Sequence, residues 1–202
     1  MDNPPLLAFD LLDPWGWVAV RRLAVAMHQA GKKLDIIFQP CRSSLSRAAT
    51  GMTYPDYLER RFGTEAVVHQ SLVAAELRKL AIEPGFGKIL TVPDTRPALA
   101  AVLWLQRSGR PAQAFVERVY EALFCQAEDI GALSTLERIL GPEGVAFRDI
   151  EAFIESQAFS QELDETEAMA AAWTGRVIPS VRINGTVVYG AQTPGVLAPM
   201  FA

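Results

Sequence analysis

The chain has 202 residues, is 50% hydrophobic and 21% charged, and carries a formal net charge of -4. That length fits one domain, with or without a large insertion, and the composition supplies ample apolar surface for a core. Its basic residues are spread along the chain without a patch, which argues against nucleic acid and anionic membrane as partners.

Met1 to Pro5 lacks a positive leader region, and the following apolar run is cut by Asp10 and Asp13. The expectation is therefore no secretory signal, no transmembrane span and a cytoplasmic protein. The two cysteines, Cys41 and Cys125, are then reduced thiols rather than a disulfide. Pro5 to Leu12 is a short apolar run that suits a strand covered on both faces. Asp13-Pro14 follows, a capping residue and a proline at the first helical position. The helix runs to Ala30-Gly31, and Leu34 to Gln39 reads as a second strand closed by Pro40. Strand, helix and strand joined this way make a βαβ unit with parallel strands.

From Tyr54 to Trp173 the spacing of apolar residues is helical almost throughout. Predicted helical stretches are Val67 to Leu80, Ala98 to Leu105, Phe115 to Phe124, Leu133 to Leu140 and Ile150 to Phe159. Period-two alternation returns at Pro179 to Ile183. Asn184-Gly185 is a two-residue hairpin turn, and Thr186 to Tyr189 is the returning strand. Gly195 to Phe201 leaves room for a last helical turn or two. The order predicts an α/β protein with one sheet of about four strands, parallel in one half and antiparallel in the other.

Specific residues carry a family resemblance. Phe9-Asp10-Leu11-Leu12-Asp13-Pro14-Trp15-Gly16-Trp17, followed by Arg21-Arg22-Leu23, resembles the active-site stretch of DsbA-type proteins, most closely the FrnE-like members with Cys-Pro-Trp-Cys. Ile178-Pro179-Ser180-Val181-Arg182-Ile183-Asn184-Gly185, then Gly190-Ala191-Gln192, resembles their second signature. Asp94-Thr95, Glu121 to Phe124 and Asp129-Ile130 are similar to weaker landmarks between the two. The resemblance implies a thioredoxin fold of residues 5–50 and 174–202 with a helical subdomain of 51–173 inserted. It also implies a cis Ile178-Pro179 bond facing Asp13 to Gly16.

In such proteins the first cysteine sits at a helix N-terminus, where free N–H groups and the dipole stabilise its thiolate. Asp13 and Gly16 hold the places of the cysteine pair here, and a carboxylate cannot exchange with a disulfide. As a carboxylate at a helix terminus, Asp13 makes a weak general base, so its simplest role is an N-cap worth ~1 kcal/mol. Asp13 and Cys41 are the candidate catalytic residues, Cys41 because it follows the second strand to the carboxyl edge of the sheet, where ligands bind.

The candidate ligand-binding residues are Asp13, Pro14, Trp15, Gly16, Ile178, Pro179 and Gln192, with an exposed Trp15 as an apolar platform for a small molecule or peptide. No cofactor is expected; related branches of the fold, the kappa-class glutathione transferases and 2-hydroxychromene-2-carboxylate isomerases, carry a serine at the Asp13 place, which makes glutathione the one alternative. Two residues weigh against it. Asp13 would repel a glutathione thiolate, and Gln192 stands where those branches hold an acidic residue. Trp17 and Cys125 read as core, and Trp104 and Trp173 as core or interface. His28 and His69 have no Cys or carboxylate at ligand spacing, so no metal site is read. Gly85-Phe86-Gly87-Lys88 lacks the length and Ser/Thr of a phosphate loop. The oligomeric state stays open, and a dimer is compatible with the sequence.

Overall fold

In a computed structural model the described residues are 3–202. Part of the no-leader expectation falls on Met1 and Asp2, which lie outside them. Strand β1 (Leu6–Phe9) enters a turn in which Asp10 Oδ1 accepts from the Leu12 N–H and Asp10 C=O accepts from Asp13 N–H. Helix α1 (Pro14–Gln29) begins immediately after, capped by Asp13, and ends at Ala30-Gly31, where Gly31 has φ +65°. Strand β2 (Ile37–Pro40) then pairs with β1 in parallel.

The second strand starts later than the apolar run from Leu34 predicts. β1 begins at Leu6, and the Ile37 N–H to Pro5 C=O bond is the first rung of the pairing. Residues upstream of it have no strand to pair with, and Leu34 stays exposed. β2 is an edge strand of the sheet, whose order is β2-β1-β3-β4, with β3 at Ser180–Ile183 and β4 at Thr186–Tyr189. Its open side is closed by one side chain, because Gln106 accepts from Phe38 N–H at 2.6 Å and donates to Phe38 C=O at 3.1 Å. The amide thus takes the place of a neighbouring strand.

Eight α-helices lie between β2 and the next strand: α2 (Ser44–Ala48), α3 (Tyr54–Phe62), α4 (Ala66–Lys79), α5 (Arg96–Arg107), α6 (Gln113–Phe124), α7 (Leu133–Leu140), α8 (Phe147–Ile154) and α9 (Gln157–Thr174). Two depart from the expected pattern. α2 has the sequence Ser-Leu-Ser-Arg-Ala, with no apolar period to betray it, and is started by Ser43, whose Oγ accepts from Ser46 N–H. The apolar stretch Ile150 to Phe159 is broken in two, because Ser156 caps α9 by accepting from Phe159 N–H.

Strands β3 (Ser180–Ile183) and β4 (Thr186–Tyr189) form the hairpin, with Asn184 at φ +48° and Gly185 at φ +85° in its turn. Those two positive angles are what an Asn-Gly type I′ turn requires. β3 pairs antiparallel to β1 and β4 to β3, and α10 (Pro194–Leu197) closes the chain with a following 3-10 turn. The fold is a four-stranded mixed sheet with a helical insertion between β2 and β3. Phe9 meets Phe38 edge-on at 5.5 Å within the sheet, and Trp17 of α1 stacks on Tyr120 of α6 at 6.0 Å, which carries the core into the insertion. No helix is long and apolar enough to cross a membrane, among the described residues.

Candidate functional site

The parallel register of β1 and β2 brings their carboxyl ends together, with Cys41 N–H donating to Phe9 C=O. β3 starts at the same edge, since Ser180 pairs with Ala8. This edge therefore gathers Asp10, Asp13, Cys41 and the Ile178-Pro179 peptide, which is cis.

Asp13 is 3% exposed, and both its carboxylate oxygens are engaged. Oδ1 accepts from Trp15 N–H at 3.0 Å, the capping bond, and Oδ2 accepts from Arg61 Nη2 at 2.9 Å. The arginine comes from α3, forty-eight residues away in sequence. Arg61 Nη1 donates to Tyr57 Oη at 2.8 Å, and the guanidinium lies 5.0 Å from the Phe62 ring centre. The chain of contacts continues from Tyr57 Oη to Ser46 Oγ at 3.3 Å and to Ser43 Oγ at 2.9 Å. Asp13 is thus more than a cap: it is the anion of a partly buried ion pair that ties α3 to the start of α1.

Gly16 packs against Tyr120. A Cβ placed on Gly16 would lie 2.2 Å from Tyr120 Oη, and that hydroxyl donates to Asp10 C=O from a fully buried ring. A cysteine side chain has no room at this position while Tyr120 stays where it is. Trp15, expected as an exposed platform, is half-buried instead. Its indole Nε1 donates to His69 Nε2 at 3.2 Å, and His69 in turn stacks on Phe62 at 3.7 Å. A ring nitrogen that accepts is unprotonated, and burial pushes the His69 pKa below its ordinary value, with Arg61 acting in the same direction against Asp13. His69, Arg61 and Tyr120 are the residues that sequence reasoning missed here, and no spacing signal links them to positions 13–16.

Asp10 is completely buried. Desolvation pushes its carboxyl pKa up, opposed by the nearby Ser46 hydroxyl and the Leu12 N–H. Cys41 is 5% exposed, and burial likewise pushes its thiol up, against a weak contact with Thr174 Oγ1 at 4.0 Å. A thiol held protonated is a poor nucleophile. Cys125 is half-buried against the core, with its thiol also raised by burial.

A groove of about 620 Å³ opens at this sheet edge, lined by Cys41, Ser43, Val177, Ile178 and four arginines, Arg42, Arg47, Arg61 and Arg176. Two of the arginines converge on Glu167 of α9, which is 1% exposed. Arg42 Nε reaches Glu167 Oε1 at 2.6 Å and Arg47 Nη2 reaches Oε2 at 2.8 Å. With Asp13 and Glu167 as the only carboxylates in these pairs, four guanidiniums leave the groove net positive. Of the predicted ligand-binding residues, the groove takes in Ile178. Asp13 is sealed behind Arg61, and Pro14 and Pro179 are buried. Gln192 is exposed, with its amide folded back to donate to Tyr189 C=O. Among the described residues no three His, Cys, Asp or Glu side chains gather into a group that could hold a metal ion.

The DSBA-like thioredoxin domain model matches residues 7–201, nearly the whole chain. The chain belongs to the DSBA-like thioredoxin domain family. No curated protein sequence matches it. Among solved structures, a probable DsbA oxidoreductase from Streptomyces coelicolor superposes with a TM-score of 0.79 at 15% identity, covering 98% of this chain and 88% of that one. A 2-hydroxychromene-2-carboxylate isomerase gives 0.68 at 17% identity, over 94% and 89%. The cytosolic disulfide reductase DsbM from Pseudomonas aeruginosa gives 0.65 at 19% identity, over 97% and 92%; it is also known with glutathione bound. At these identities the structural likeness is one of fold.

Proposed function

We propose that this DSBA-like chain is a FrnE-like protein that runs no dithiol–disulfide exchange and instead binds an anionic small molecule or acidic peptide in the groove beside Pro179. The observation that carries the reading is the state of the two cysteine places. Asp13 is locked to Arg61, and Gly16 lies under the Tyr120 hydroxyl, so neither position offers a sulfur and position 16 has no space for one. The net positive charge of the neighbouring groove favours carboxylate or other anionic groups, and Arg47 and Arg176 are its exposed arginines, with guanidinium forks suited to such groups. Two reduced thiols and the absence of a disulfide suit the cytoplasm. The test is reduction of insulin by dithiothreitol, followed by turbidity beside a Cys-x-x-Cys family member. The expected rate is the uncatalysed background, and acceleration typical of the family overturns the reading. Binding is followed by the anisotropy of a fluorescein-labelled glutamate-rich peptide, which the Arg47→Glu/Arg176→Glu variant should bind at least about tenfold more weakly.

A glutathione-dependent isomerase or transferase is the second reading. In its favour, the groove's arginines suit the two carboxylates of glutathione, and an isomerase and a glutathione-bound reductase share the fold. Against it, the group at the serine position is a buried carboxylate that can donate no hydrogen bond to a thiolate. Saturable calorimetric heat with millimolar glutathione would support this reading, and its absence would end it. A monothiol role for Cys41 has burial and a raised thiol pKa against it. Mass spectrometry after oxidised glutathione treatment is expected to find Cys41 unmodified.

A further inference from the structure

Helix α4 buries Val73, Ala74 and Leu77 on its inner side, where it meets α1 and α3. Its outer face is apolar as well. Val67 is 75% exposed, Val68 52% and Leu72 57%. Among the described residues no other helix or strand exposes more than one large apolar side chain. Single exposed apolar residues are ordinary on a protein surface, whereas three on one helix face mark a contact surface.

At 3.6 residues per turn, Val67, Val68, Ser71, Leu72 and Ala75 share this face, all of them exposed and none of them charged. Ser71 is the polar member, and its hydroxyl donates to Val67 C=O at 2.8 Å, so covering it leaves no hydrogen bond unmade. Ser71 and Ala75 are small and one turn apart, which leaves a shallow groove between the larger side chains, of the kind that takes a ridge of a second helix. Charge appears at the two ends. Glu65 precedes the helix, Arg78 and Lys79 finish it, and all three are exposed. Arg78 is held by Glu83, while Lys79 pairs with Glu76 at 2.6 Å and keeps further ammonium hydrogens to donate.

Glu65, Leu72 and Lys79 follow one another at intervals of seven, so they lie along one line of the helix. A second α4 laid antiparallel over the first, with Leu72 beside its own copy, sets Glu65 of each helix against Lys79 of the other and opposes the two helix dipoles. The stripe is thus complementary to itself in both shape and charge.

We propose that α4 is a dimerisation surface whose partner is a second copy of this chain, packed antiparallel about a two-fold axis at Leu72. The helix has 14 residues, about 21 Å, so the buried area falls at the low end of specific interfaces and the dimer is weak. The surface shares no residue with the arginine groove and stands independently of the function read from it.

Sedimentation velocity of the full chain from about 1 to 500 μM tests the association, and the mean mass should rise from monomer toward dimer with concentration. Leu72→Asp sets two carboxylates against each other at the axis and should leave the chain monomeric throughout. Because the position is exposed, its unfolding midpoint should stay close to that of the unsubstituted chain. Glu65→Lys opposes Lys79 across the interface and should weaken association by about fivefold. Cross-linking reads the orientation. Leu72→Cys should form an inter-chain disulfide on mild oxidation and Val67→Cys should not, because an antiparallel pair holds its two copies of position 67 about 15 Å apart. The unsubstituted chain, with Cys41 buried and Cys125 half-buried, is the control. A chain that stays monomeric at the highest concentration, a dimer indifferent to Leu72→Asp or to Glu65→Lys, or equal cross-linking at positions 67 and 72 would overturn the proposal.

Discussion

Gly16 is where a single atom has the largest structural consequence. In a helix, glycine gives way to alanine with a gain of up to ~1 kcal/mol. Here the added methyl would fall 2.2 Å from Tyr120 Oη, and the ring that carries it is fully buried and stacked against Trp17 and Phe124. Overpacking of this kind costs about 1–3 kcal/mol, so the clash outweighs the propensity. Gly16→Ala is expected to lower stability by about that amount in urea unfolding, and Tyr120→Phe in the same chain should recover most of it by removing the clashing oxygen. If Gly16→Ala is neutral or stabilising on its own, the tight contact is not there. The surroundings of both positions work against cysteines placed at 13 and 16. The first would strand Arg61 without its carboxylate, and the second would displace Tyr120.

At the scale of elements, small polar side chains set boundaries that apolar spacing does not mark. Ser156 ends the run begun at Ile150 by accepting from Phe159 N–H, and its own hydroxyl donates back to Phe153 C=O. One residue thus terminates α8 and starts α9, which lets α9 turn toward β2, where Trp173 Nε1 donates to Gln39 Oε1 at 2.8 Å. Ser156→Ala removes both bonds. The expected loss is ~1 kcal/mol of unfolding free energy, and Ser156→Asp should restore much of it because a carboxylate caps equally well. An unchanged denaturation midpoint in Ser156→Ala would mean that packing of Phe153 against Phe159, not the cap, holds the break.

For the whole molecule, the helical insertion is pinned to the sheet domain by a few long-range polar contacts. Arg61 reaches Asp13, Glu167 holds Arg42 and Arg47, and Arg22 of α1 binds both Glu76 of α4 and, at 2.5 Å, Ala191 C=O. The Trp15–His69 bond adds to this set, and protonation of the imidazole breaks it. His69 accepts only when neutral, and burial lowers its pKa in the folded state. The unfolded chain therefore binds a proton at a higher pH than the folded one does. Stability from this contact is complete above about pH 6.5 and is lost as pH falls from there toward the lowered value. Thermal unfolding between pH 8 and pH 5 should show this loss, and His69→Phe should remove that part of the slope. A slope identical in the variant would place the acid sensitivity elsewhere.

The amino-acid sequence by itself determined the order of strands and helices, the Asn184-Gly185 turn and the lack of a thiol at positions 13 and 16, because these depend on local chemistry: side-chain period, positive φ and the presence or absence of a thiol. It also placed Cys41 at the sheet edge, since a parallel βαβ unit has only one carboxyl edge. Tertiary structure alone decided what surrounds those residues. Arg61, Tyr120, His69 and Glu167 reach the site from forty-eight to one hundred and twenty-five residues away, and no periodicity records such a meeting. Trp15 was legible as a residue between Asp13 and Gly16 at the start of α1 but not as half-buried, because its cover comes from α4. The groove's positive charge has the same origin. The arginines are unremarkable along a chain of net charge -4, and they act together only because the fold lays four of them around one opening.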